Sequence, residues 1–273
     1  MASQRIRKWI PSWRELDHNL VPPILDTPWL LFVVSICALA LSAWVGGLFA
    51  AKLREAPSEA REAFGVILAA TLTLLGLIIA FTFSMALNRY DQRKNLEEEE
   101  ANAIGTEYFR ADLLSDAEAA KVRQLLRGYL HERILFYTVP EGPQVDEINA
   151  RTGKLQAELW SVIRAPVTAQ PTQIAALVVE GMNDVFNSQG YTQAACWNRI
   201  PAAAWMLMAA IATWTNALVG YGTVASGARR SMLLFLPLVI AIAFALIADI
   251  DAPRGGGIRV HPLNLESLAR SLQ

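Results

Sequence analysis

The chain has 273 residues, 53% of them apolar, with a formal net charge of −1 at pH 7. That balance offers no global basic field to recruit nucleic acid, and so apolar a chain of this length suits a small polytopic membrane protein better than a soluble domain. The two cysteines, Cys37 and Cys196, fall in separate regions without zinc-ligand spacing, so they read as packing residues and not as a disulfide or metal site.

In chain order, Ile6, Trp9, Ile10, Trp13 and Leu16 alternate with Arg5, Arg7, Lys8 and Arg14. This pattern suits an interfacial segment, indoles at headgroup level and cations toward anionic lipid; a partner-binding arm is the alternative. Pro22, Pro23 and Pro28 make an extended elbow before the first charge-free apolar run, residues 29–51. That run exceeds a signal-peptide core, so it reads as a retained span. Gly46 and Gly47 mark its far end, and the small residues Ala38, Ala40, Ser42 and Ala43 permit close helix approach. Further runs cover residues 63–88, 201–228 and 231–248. At about 1.5 Å per residue the first three cross a core about 30 Å thick, and the fourth just suffices.

In the second span Thr71, Leu75, Ile78, Thr82, Met85 and Arg89 recur every three or four residues and share one helical stripe. It reads either as a pore wall constricted at Leu75 and Ile78, or as a helix contact face whose Thr hydroxyls bond back to carbonyls. No breaker follows until Gly105, so the span is expected to continue as one helix to about Leu114. Glu97 to Glu100 on this extension read as a solvated face, or as an acidic vestibule ring (Glu97, Glu100) in a symmetric oligomer.

Ser115 and Glu118 form a capping box that opens a helix from Asp116 to about Tyr137. Further helices are expected over residues 145–164 and 172–187, with Pro166 to Pro171 as a loop and Gly190 opening a return to the membrane. Pro201 fits the first turn of the third span, and Pro237 predicts a kink in the fourth. Beyond it, Asp249, Asp251 and Arg254 read as a structural ion pair and turn, with a cation site as the alternative.

With the N-terminus inside, ten basic residues (Arg5, Arg7, Lys8, Arg14, Arg89, Arg93, Lys94, Arg199, Arg254, Arg259) flank the spans internally, against five outside (Lys52, Arg54, Arg61, Arg229, Arg230). Both termini and the middle module are therefore expected in the cytoplasm, across a bacterial inner membrane. The fold class is all-α: an N-terminal segment (1–28), a first hairpin (29–88), a cytoplasmic helical module (89–199), a second hairpin (200–250) and a C-terminal tail (251–273). His18, His131 and His261 are scattered, and no phosphate loop, dinucleotide fingerprint, zinc-protease motif or nucleophile elbow is present, so an enzyme is disfavoured and no cofactor or metal is expected.

The strings from Arg89 to Arg93, Glu100 to Thr106 and Tyr108 to Leu114, the Arg199-Ile200-Pro201 triplet with Trp205, and Asp249 to Arg254 with Ile258 to Val260 resemble the bacterial bestrophin-like membrane proteins. The resemblance runs from about Phe81 to the C-terminus. It departs at Ser115, where proline is expected, and lacks the acidic calcium-clasp run that some bestrophins carry. It implies kinship with bestrophins, pentameric ion channels with four membrane helices per subunit and a pore lined by the second. On this basis the expected partners are the bilayer, further copies of the chain in a pentamer, and inorganic ions, with no nucleic acid. A non-conducting membrane scaffold whose cytoplasmic helices bind a protein partner is the alternative.

Overall fold

The computed structural model describes residues 23–50, 57–169, 171–226 and 230–272. The basic, tryptophan-bearing N-terminal segment lies outside them. Among the described residues the chain is helical throughout: α1 (Pro28–Leu48), α2 (Ser58–Arg110), α3 (Asp116–Thr138), α4 (Pro143–Ala169), α5 (Gln173–Trp197), α6 (Ala202–Ala225), α7 (Phe235–Asp251) and α8 (Leu263–Ser271), with short 3-10 turns at Pro23–Asp26, Ala111–Leu113 and Arg230–Leu234. Segments long and apolar enough to cross a bilayer occur within Pro28–Leu48, Ser58–Leu113 and Gln173–Ala225. The remaining apolar helix, α7, is shorter at 17 residues.

The chain forms two compact units, residues 1–87 with 200–258, and residues 88–199 with 259–273. The 53-residue α2 contributes to both, as expected from its lack of breakers.

In the first unit α1 packs against α6 and α7. Small residues set how close the backbones come. A Cβ at Gly46 would overlap the Ala217 carbonyl, and one at Gly220 would overlap the carbonyl of Ala43. Ala43 is fully buried, and the Ser42 hydroxyl crosses to the Thr213 carbonyl at 2.7 Å. Where apolar lipid gives no net hydrophobic drive, such contact is what holds helices together. Trp205 meets Phe244 edge-on at 6.2 Å, and Phe64 meets Tyr221 at 5.3 Å.

The second unit is built like a soluble helical core. Ile104 of α2, Val122, Leu126 and Tyr129 of α3, Leu159 and Ile163 of α4, Val178, Met182 and Val185 of α5, and Leu265 of α8 are all fully buried together. The capping box at Ser115 is present in full, its hydroxyl 2.7 Å from Glu118 Oε2. Two expected boundaries are corrected. Helix α4 runs on through Pro166 to Ala169: proline gives up its own backbone bond and crowds the preceding turn, yet the helix continues for three residues, with the Thr168 hydroxyl bonded back to the Arg164 carbonyl. Helix α5 runs through Gly190 to Trp197, since glycine costs an exposed helix interior only about 1 kcal/mol. Pro237 falls in the first turn of α7, where its missing N–H goes unneeded, so the position calls for no kink.

Candidate functional site

Helix α2 carries the residues that the sequence singles out, and its burial follows one seam. Leu75, Thr82 and Ala86 are buried in the membrane-spanning part; Arg93, Glu97, Glu100, Ile104, Glu107 and Ala111 are buried in the extension. These six positions of the extension step by four, three, four, three and four residues, the spacing of a helix contact stripe.

The proposed pore stripe lies on this seam. Leu75 is 2% exposed and Thr82 4%, Thr71 and Ile78 are half-buried, and Met85 is at the margin of exposure. Thr71 and Thr82 donate to the carbonyls of Ile67 and Ile78 at 2.7 and 2.8 Å, the back-bonding of a contact face. Arg89 donates from Nη1 to Asn198 Oδ1 at 2.6 Å. The stripe therefore faces its own chain. The opposite side of the same span, through Thr73, Leu77, Ala80 and Ser84, is exposed.

Glu97 and Glu100 correct the solvated-face expectation, and as buried groups they do not present carboxylates to a vestibule. Glu97 accepts from the backbone N–H groups of Asn264 and Leu265 at 2.9 and 3.0 Å and from Asn264 Nδ2 at 2.6 Å. A carboxylate at the start of α8 meets both its unpaired N–H groups and its positive dipole end. Glu100 forms a fully buried ion pair with Arg133 of α3. It also accepts from the Thr192 and Tyr137 hydroxyls at 3.2 and 3.4 Å, and Arg133 stacks 4.2 Å from the Phe136 ring centre. Burial, reinforced by Glu100, raises the Tyr129 and Tyr137 phenols above their ordinary range, so both stay protonated. Burial alone would lower the Arg133 guanidinium, but the neighbouring Glu100 carboxylate outweighs it and the guanidinium stays charged. Only Glu98 and Glu99 of the acidic run are exposed. The signal for this inward face is the three-and-four spacing from Arg93 to Ala111, hidden because its residues are charged.

At the end of α7, Asp249 accepts from the Gly257 and Ile258 N–H groups at 2.7 and 2.9 Å. Buried Asp251 accepts from the Ile200 N–H at 3.1 Å. A methyl on Gly256 would overlap the Asp249 carboxylate, and one on Gly255 would meet the Asp26 carbonyl, so the glycine run is the wrapping of this turn. Both aspartates stand out in the sequence; their backbone partners do not. Among the described residues no cluster of three His, Cys, Asp or Glu side chains is placed to hold a metal ion.

A long apolar helix continuing into a helical core, with a second apolar hairpin packed at its start, defines an all-helical membrane protein. Comparison with known proteins gives its kinship. The family model of the Bestrophin-like domain matches residues 32–265, and the chain belongs to that family. Its fold is similar to a bacterial bestrophin homologue from Klebsiella pneumoniae at a TM-score of 0.59 and 16% identity, over 89% of this chain and 96% of that one. An L177T variant described in the same terms matches at 0.59 and 12% identity, over 90% and 97%. A structure described as a membrane protein with a P143A substitution matches at 0.61 and 14% identity, over 88% and 97%. Identities this low carry the fold alone. No curated protein matches the sequence.

Proposed function

We propose that this protein is an oligomeric ion channel of the bacterial inner membrane whose α2 helices line the pore. The observation that carries the reading is the bareness of α2: only 6% of its most apolar 18-residue stretch is buried within its own chain. Its single contact seam leaves Thr73, Leu77, Ala80 and Ser84 on the opposite face, small or hydroxyl-bearing at three of four positions. Such a face, repeated around an axis, makes a wall with a constriction at Leu77. The pore wall is thus assigned to this side of the helix, not to the stripe from Thr71 to Arg89. Kinship with the pentameric bestrophins supports five copies around inorganic ions, with both termini and residues 89–199 in the cytoplasm.

Current through planar bilayers holding the purified, size-verified oligomer is the test. Leu77→Ala is expected to change conductance and Leu75→Ala to change stability. An oligomer with no current above lipid background supports the scaffold reading instead, for which exposed Phe109, Leu113 and Trp197 are apolar contacts available to a partner. For orientation, cysteines at Ser58 and Gln144, on a background lacking Cys37 and Cys196, are expected to react with an impermeant reagent in intact cells at 58 only.

A further inference from the structure

Among the described residues of the second unit, one buried carboxyl takes part in no contact described above. Glu107 of α2 has no exposed surface, and neither carboxylate oxygen has a hydrogen-bond partner. It lies against Gly181 of α5, itself buried, so closely that a methyl there would overlap both Glu107 Oε2 and the Arg110 guanidinium. Glycine is what lets α5 close over the carboxyl. An ionised carboxylate left without donors in such a place is costly, whereas a protonated one is tolerated.

Two charged groups act on Glu107 and oppose each other. Arg110, one turn on along α2, favours the ionised form, and exposed Asp184, one turn beyond Gly181 on α5, favours the neutral form. Arg110 also donates to the Leu177 carbonyl at 3.3 Å, so it ties the same two helices.

We propose that Glu107 is a proton-operated contact between α2 and α5: protonated, it fills the notch at Gly181, and ionised, it drives the notch open. Its direction follows from linkage. Burial, opposed by Arg110 and reinforced to a lesser degree by Asp184, raises the enclosed carboxyl from 4.5 to about 8, while in the opened form it returns to its ordinary value. The closed form therefore binds more protons. It is favoured fully at acid pH, loses ground as pH rises through the interval between those two values, and loses no more above about 8. The inference does not depend on whether the protein conducts.

Hydrogen exchange of the α5 amides around Gly181, on the full-length protein in detergent between pH 5 and 9, tests it. Glu107→Gln keeps the shape of the protonated side chain and cannot ionise, so the wild-type to E107Q exchange ratio at each pH cancels the chemical rate. The expected ratio rises by up to about tenfold per pH unit and levels off near pH 8. Asp184→Asn is expected to bring the levelling to lower pH, which a merely structural role for Glu107 would not do. A ratio that stays flat with pH overturns the proposal. So does a levelling point that D184N leaves in place.

Discussion

The two units bury α2 by opposite means. In the first unit a span packs through what its partners lack: Gly46 and Gly220 let backbones meet, and the seam of α2 is Leu75, Thr82 and Ala86. In the second unit the same helix turns Arg93, Glu97, Glu100 and Glu107 inward. Lipid supplies nothing to satisfy a charge, so the first unit must do without them. The second unit has donors for two of them: α8 offers its free N–H groups to Glu97, and α3 offers Arg133 to Glu100. One helix thus keeps one seam and changes its chemistry with its surroundings.

The comparison predicts that charge neutralisation breaks the second unit and an added methyl breaks the first. Glu100→Gln leaves Arg133 enclosed and uncompensated, at a cost of about 3–5 kcal/mol. Glu100→Leu with Arg133→Met should recover most of it, because an apolar pair of similar volume removes both desolvation costs. Thermal unfolding followed by tryptophan fluorescence in detergent reads both. In the first unit Gly220→Ala puts its methyl into the Ala43 carbonyl and must spread α1 from α6, at about 1–3 kcal/mol. Gly76→Ala meets open space and serves as the neutral control. If G220A is tolerated as well as G76A, close backbone approach is not what holds the first unit.

The turn after α7 should respond less. Asp249→Asn retains one acceptor for two backbone donors and is expected to cost about 1–2 kcal/mol. The pair between Arg254 and one of the aspartates is a separate proposal. Arg254→Ala is expected to lower the melting temperature, at a stability cost between that of an exposed pair, under about 1 kcal/mol, and that of a buried one, about 3–5 kcal/mol. Asp251→Asn with Arg254→Gln should recover part of it. Variants that melt like the parent would rule the pair out as a structural element.

The helical class is readable in the sequence because charge-free apolar runs of this length fit a bilayer span and little else. The small-residue face of α1 is readable in part, through Ser42 and Ala43, whereas the close approach at Gly46 depends on Ala217, which the sequence does not place. The inward charges were not legible for a physical reason. A periodic stripe is recognised by hydropathy, and Glu97 and Glu100 have the hydropathy of a surface; only their partners on α3, α5 and α8, 33 to 168 positions away, show otherwise. The stripe from Thr71 to Arg89 shows a different limit: period alone does not say whether a stripe faces its own chain or a neighbour. Exposure decides that, and it turns Thr73 and Leu77 outward.

The smallest effect belongs to a feature that the sequence displays in full, the capping box of Ser115 and Glu118. Ser115 caps α3, with its hydroxyl 2.7 Å and its N–H 3.3 Å from Glu118 Oε2. Ser115→Ala removes the side-chain acceptor from the first turn but leaves Glu118 able to hold the backbone N–H. The expected loss is about 1 kcal/mol. Ser115→Asp keeps an acceptor at the helix start and should restore stability, whereas Glu118→Ala should cost a comparable amount by releasing the other half of the box. A local cap in solvent is small because water replaces what it loses. Nothing replaces Arg133 for Glu100, and the ratio of these two effects measures how far the second unit depends on its buried charges. If S115A costs as much as E100Q, the buried pair is not the anchor of that unit, and its apolar core of Ile104, Leu126 and Met182 carries the fold without it.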